Sequence, residues 1–278
     1  MSDAPAGLHS LQIGGGTVVI DATLRLALPA MKRGYADAQL DDTAGLSRSQ
    51  FRHRAGFHFG VRARASHPAP VGTLGFGLWN DPFGFSLGLG GIARKLPATP
   101  QAMWFFYGSP PNDMGFGKPG VADGWKAATL RSPRLSSLFV AAAGALTLAL
   151  GPFRKVQAAL IRSAMRRLEA EEVRLACRLD EWHTYALDWT EEGATFRLDG
   201  EAVLRTSVVP DSPLGFVTWI DNQFAVVSPK DGLRFGVLPV PEPQYLELRD
   251  LTIEDSAADS LRPSSRGHRA GRRRIPGS

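Results

Sequence analysis

One cysteine, Cys177, in 278 residues leaves no disulfide within the chain and no cysteine-based zinc site. The opening MSDAPAGLHSLQIGGG has neither a basic n-region nor an apolar h-region, so no signal peptide is expected. Both features favour a reducing compartment, most simply the cytoplasm. The stretch LSSLFVAAAGALTLAL (135–150) carries no charge, yet it falls short of the ~20 apolar residues a membrane span needs. No repeat of solenoid period occurs. No oxygen-rich D-x-D-x-D-G loop occurs either, so no cofactor is expected. The formal charge is +5, but the tail 264–278 holds five arginines and no acid, which leaves the body near neutral. That balance argues against a specific nucleic-acid binder and for a basic, Gly/Ser-rich arm over 256–278.

What is present is turn-rich and strand-like. The chain has 30 Gly and 20 Pro, as β-sandwiches do. In EWHTYALDWTEEGATFRLDGEAVLRT (181–206), period-two alternation places Tyr185, Leu187 and Trp189 on one face and Thr184, Ala186 and Asp188 on the other. Asp199-Gly200 is a strong hairpin turn, so three strands should form a meander. FHFGVRARAS alternates cleanly, and QAMWFFYGS is a continuous apolar run of the kind a buried strand shows. VGTLGFGLWNDPFGFSLGLGG is laced with glycine, which points to bulges or to a close backbone approach.

Residues 131–177 break this pattern. Ser132-Pro133 is a helix start, Gly151-Pro152 a stop, and FRKVQAALIRSAMRRLEAEEV then carries Val156, Leu160, Ala164 and Leu168 on one stripe. The expected organisation is a flexible leader over 1–16, a β domain over 17–255 with a helical hairpin inserted at 131–177, and a disordered basic tail over 256–278. The insert could pack on the sandwich or on a second subunit, or lie on a membrane surface with its basic helix toward the head groups.

WHTYALDWTEEGATFRLDGEAV resembles the late strand pair of glycoside hydrolase family 16, the laminarinase and lichenase group. YADAQLDD, FHFGVRARAS and QYLELRDLTIED resemble its early and closing strands more weakly, so the likeness spans roughly 17–130 and 178–255. The resemblance implies an all-β, concanavalin A-like jelly-roll sandwich with glycan lying across a concave sheet, and it leaves a structural calcium open, as members of that family often carry one. It also implies a strand motif E-x-D-x-x-E supplying two carboxylates ~5–5.5 Å apart for retaining hydrolysis. No such motif occurs in this chain. Laid on the motif, QAMWFFYGS puts Ala102, Trp104 and Tyr107 at the three acid positions.

Two segments could still build a ligand site, LWNDPF (78–83) and TWIDNQF (218–224). Trp79 with Asp81, and Trp219 with Asp221, are two apart and so share a strand face. Asn80 and Asn222 add amide groups, and Trp104 and Tyr107 could join them. Indole rings stack on the apolar faces of pyranoses while a few polar groups orient the hydroxyls. The competing reading makes each Trp a core residue and each Asp a turn former, Asp81-Pro82 above all. Asp81 and Asp221 are also the candidates for a relocated catalytic pair. The sequence reading is therefore a lectin-like protein on a hydrolase scaffold, leaning away from an enzyme, that binds a glycan or glycolipid head group. The alternatives are a glycoside hydrolase with relocated acids, or a membrane-docked interaction protein that uses 131–177.

Overall fold

Strand β5 (Phe57–Ala65) alternates buried Phe57, Phe59, Val61, Ala63 and Ala65 with more open residues. A strand with that pattern can bury one face only against another sheet. The structure, a computed structural model, describes residues 7–82, 98–113, 123–136, 166–228 and 232–255, with the single positions 138, 140, 145, 155, 156, 159, 162 and 163. Among them are two seven-stranded antiparallel sheets and a two-stranded ribbon. The first sheet runs, in spatial order, β1 (His9–Ile13), β4 (Asp37–Asp41), β13 (Gly215–Asp221), β6 (Thr73–Trp79), β7 (Ala102–Gly108), β8 (Gly124–Arg131), β9 (Glu169–Arg174). The second runs β12 (Glu201–Thr206), β11 (Gly193–Leu198), β10 (His183–Thr190), β5, β16 (Gln244–Asp255), β3 (Leu24–Leu28), β2 (Thr17–Ile20). β14 (Gln223–Ser228) and β15 (Gly232–Val237) form the ribbon.

The sheets pack face to face. Phe59 of the second sheet meets Phe76, Phe105 and Phe216 of the first edge-on, with centroids 5.8–6.3 Å apart. Tyr185 and Trp125 complete this aromatic centre. Quadrupole geometry favours such edge-to-face contacts over parallel stacks. The layout is the all-β, two-sheet arrangement the sequence leads one to expect, and it is consistent with a jelly roll. The expected β10–β11–β12 meander is present, with a register shift between Phe196 and Arg197 where β11 meets β12 and with Asp199 and Gly200 both at positive φ (50° and 87°) in the turn. The Asp199 carboxylate accepts from the backbone N–H of Thr184 and contacts His183 Nδ1, so His183 serves this turn.

Three boundaries differ from expectation. His9–Ile13, assigned to the flexible leader, forms β1 and pairs with β4 across its whole length. Glu169–Arg174, read as the end of a helix, is strand β9, because its backbone completes the ladder of β8 and Glu172 pairs with a buried lysine there. The helical hairpin over 131–177 is not seen as an element. Arg131 ends a strand, the single described positions between 138 and 163 are helical, and the remainder of the hairpin lies outside the described residues. The basic tail also lies outside them. No helix among the described residues is long and apolar enough to cross a membrane.

Candidate functional site

The first sheet has a second aromatic layer on the face turned away from the core. Alternation along β7 sends Met103, Phe105 and Tyr107 inward and Ala102, Trp104 and Phe106 outward. The strand is continuously apolar because both of its faces are buried. Register then aligns the outward residues in rows. Gln39, Trp219, Gly75, Phe106 and Lys126 form one row; Asp41, Val217, Gly77, Trp104, Ala128 and Glu172 form the next. Trp79 stands one row further, opposite Gly215, and Asp37, Asp221 and Thr73 close the other end.

The tryptophans meet across these rows. Trp79 and Trp219 lie nearly parallel, 6° apart with centroids at 6.4 Å, and Trp104 sits 5.7 Å from Trp219. Phe106 touches both Trp104 and Trp219. The glycine-laced strand is the reason they fit. A Cβ on Gly75 would come within 2.9 Å of the Trp219 ring, so this position needs glycine for the ring to lie over β6. Trp219 Nε1 donates to Thr73 Oγ1 at 2.9 Å, and the Thr73 hydroxyl in turn donates to Asp221 Oδ1 at 2.8 Å. The indole N–H groups of Trp79 and Trp104 are buried and have no acceptor among the described residues. Trp104 and Trp219 are only 9% and 8% exposed; Trp79 is more open.

The layer is flanked by charge. On the β8–β9 side Lys126 and Glu172 form a fully buried ion pair. On the β4 side Asp37 and Asp221 stand directly opposite each other in register. Burial pushes Asp221 up to about 6 against the pull of its bonds from Thr73 and Gln223. Asp37 lies well above the usual carboxylate range, from burial first and then the Asp221 charge, with the Tyr35 hydroxyl opposing both. The two carboxyls share a site, so they lose protons in two steps that belong to the pair. Raised acids hold protons longer in the folded than in the unfolded chain, so stability falls as pH rises from about 4 through 6. Asp221→Asn, which keeps an acceptor for Thr73, should therefore be more stable than the parent at pH 8. The gain should be roughly 1–2 kcal/mol, allowing for partial exposure, and it should vanish near pH 4.5. Urea unfolding at the two pH values decides it; a constant difference would show that the pair does not titrate as described.

The residues proposed from sequence separate into groups. Trp79, Trp104, Trp219 and Asp221 share the outer face. Tyr107 has the opposite parity and packs in the inter-sheet core. Asn80 is buried and ties Thr99 and Gln101, its Nδ2 donating to Thr99 O and its Oδ1 accepting from Gln101 N. Asn222 is wholly buried, bonded to Ala36, Gly34 and Leu238. Asp81 takes a positive φ of 46° in the turn after β6, where its carbonyl accepts from Arg48. Asp81 and Asp221 do not form a pair. Thr73 pairs with Asp221 while Trp79 pairs with Gly215, so Asp81, beyond Trp79, sits at the opposite end of the ladder from Asp221, more than about 20 Å away at ~3.3 Å per residue. The acid opposite Asp221 is Asp37, which the alternation in YADAQLDD could have suggested. Lys126, Glu172, Phe106 and Thr73 had no motif to announce them. No group of three or more His, Cys, Asp or Glu side chains among the described residues is placed to hold a metal ion.

No family model matches the sequence, and no curated protein matches it. Solved structures with a similar strand arrangement include a glycoside hydrolase family 16 endo-glucanase from Bacteroides ovatus (10% identity, 89% of this chain and 94% of that chain, TM-score 0.46). A laminarinase from Flavobacterium sp. UMI-01 aligns at 14% identity over 82% of this chain and 77% of that one, TM-score 0.40. A legume lectin-like domain from Entamoeba histolytica aligns at 6% identity over 90% of each chain, TM-score 0.47. At these identities and scores the similarity carries no argument about activity.

Proposed function

We propose that the chain is a carbohydrate-binding, lectin-like protein that holds a glycan or glycolipid head group on the outer face of its first sheet. The observation that carries this reading is the aromatic layer of Trp79, Trp104 and Trp219 on the outer face of the first sheet, with Trp79 half-buried at its open end. The accessible part of the Trp79 indole offers a flat face on which the apolar face of a pyranose can stack. Trp79, Trp104 and Trp219 supply the floor, and Asp221 with Asp37 the polar end. β7 presents Ala102, Trp104 and Phe106 outward, so this strand has no carboxylate for hydrolysis. A second reading rests on the 8–9% exposure of Trp219 and Trp104: the layer is a structural core of its own, and the sandwich is a scaffold for contacts made elsewhere.

Native affinity electrophoresis through gels cast with a panel of β-glucans and other polysaccharides, then developed for cleared zones, separates these readings. Retardation is expected, and Trp79→Ala should weaken it at least tenfold while leaving the melting temperature within a few degrees, because Trp79 is the most open of the three. Clearing would instead make the protein a hydrolase, with Asp37→Asn and Asp221→Asn as the variants that should abolish it. Neither retardation nor clearing with any glycan would leave the structural reading in place.

A further inference from the structure

The second sheet also carries an unassigned feature on its outward face, on the far side of the sandwich from the tryptophan layer. Arg62 and Arg64 of β5, Arg249 of β16 and Arg25 of β3 project there by strand parity. Trp182, the residue before β10, lies among them. Its ring is 4.6 Å from the Arg249 guanidinium, 4.9 Å from that of Arg64 and 5.9 Å from that of Arg62. One buried acid pairs with the cluster: Glu247 accepts from both Arg25 and Arg64 and is 4% exposed, and the Asp21 charge also acts on Arg25. Arg62 makes no ion pair or hydrogen bond among the described residues. Among the described residues Arg249 bonds only to the Thr23 hydroxyl, at 2.9 Å. Register sets these two unneutralised arginines directly opposite each other across the β5–β16 ladder.

Like charges facing each other across strands destabilise a sheet. Each guanidinium gains from the negative face of the indole. Glu247 neutralises Arg64, but Arg62 and Arg249, facing each other beside the same ring, keep a mutual repulsion that no ion pair among the described residues cancels. A guanidinium held over a ring keeps its N–H groups free in its own plane, and that fork matches an oxyanion edge. We propose that Arg62, Arg249 and Arg64 around Trp182 form a binding site for a tetrahedral oxyanion, the sulfate or phosphate of a monoester. The two forks without an acid partner, those of Arg62 and Arg249, with the Arg64 charge beside them, suit the three terminal oxygens and the charge of such an ester better than a single carboxylate. The site shares no residue with the aromatic layer, so it stands or falls separately from the glycan reading.

The test follows the Trp182 indole N–H resonance of the full chain, assigned with Trp182→Phe, during titration with sodium sulfate, sodium phosphate and sodium acetate at ionic strength held constant with sodium chloride. A saturable shift with sulfate or phosphate and none with acetate is expected. Arg62→Gln and Arg249→Gln should each weaken it about tenfold or more, the effect of losing a hydrogen bond to a charged group. Arg62→Gln should melt no lower than the parent, because it removes a repulsion. Tighter binding of phosphate at pH 7.5 would name a phosphate ester as the source, and tighter binding of sulfate a sulfate ester. The proposal is overturned if chloride alone produces the same shift, or if both Gln variants respond like the parent. It is equally overturned if replacing Arg272, Arg273 and Arg274 with Gln removes the response, since that would assign it to the tail.

Discussion

Lys126→Met should lower the unfolding free energy by about 3–5 kcal/mol at pH 7. Lys126 Nζ and Glu172 Oε2 are 2.9 Å apart, and neither side chain has any solvent exposure. The ammonium also sits 5.7 Å from the Phe106 ring. Burial lowers the Lys126 pKa, while the hydrogen bond and charge of Glu172 hold the proton on. Removing the lysine takes from a buried carboxylate the cation 2.9 Å away, so it must either keep its charge without that ammonium or take up a proton. The cost is therefore that of the stranded charge, not of the lost attraction. This distinction has a consequence in the double variant. Lys126→Met with Glu172→Leu removes both charges and fills the space, and a buried pair replaced in this way is often neutral or better. The double variant should recover most of the stability, giving a coupling energy of several kcal/mol in a double-mutant cycle measured by urea unfolding. If Lys126→Met lies within 1 kcal/mol of the parent, the pair is not buried as described.

The same pair shows why part of the fold was hidden in the sequence. EAEEVR, residues 169–174, follows a run of good helix formers and shares their propensity, so local pattern extends the helix through it. The strand arises because β8 offers a free ladder edge and because Glu172 meets Lys126 there, which is tertiary context overriding propensity. β1 was hidden for the opposite reason: every one of its residues is exposed or half-buried, so it lacks the alternation that marks β5 and β10. The strands that bury a single face were legible, as was the Asp199-Gly200 turn, because burial and backbone conformation write directly onto residue type. Trp79 and Trp219 were legible as face residues from their spacing. Their neighbours were not, since which strand lies beside which is a long-range property. Spacing offered Asp81 as the partner of Asp221, whereas pairing of β4 with β13 delivers Asp37.

His53 should contribute about 3 kcal/mol of stability that is present at pH 6.5 and gone at pH 10. Its ring is 3% exposed as a residue and lies between two carboxylates, with Nε2 2.6 Å from Asp42 and Nδ1 2.9 Å from Asp255. Burial alone would lower its pKa, but the hydrogen bonds to Asp255 and Asp42 win and raise it to about 9. Asp42 follows β4 in the first sheet and also accepts from the Phe216 backbone N–H at 2.8 Å, while Asp255 ends β16 in the second. The imidazolium thus fastens one sheet to the other at a single end of the sandwich, with its ring 4.5 Å from that of Phe57. A histidine whose pKa is higher folded than unfolded binds its proton more tightly in the native state. Its contribution is complete below the unfolded value near 6.5 and declines as pH rises through 9. A shift of this size, at about 1.4 kcal/mol per unit, gives the stated magnitude. Comparison with His53→Gln isolates the effect, because every other titration is common to both chains. The variant should be less stable by about 3 kcal/mol at pH 6.5, and the two unfolding curves should converge above pH 9. A gap that stays constant across that range would mean that His53 is held neutral, and that it is packing against Phe57 that closes this end of the sandwich.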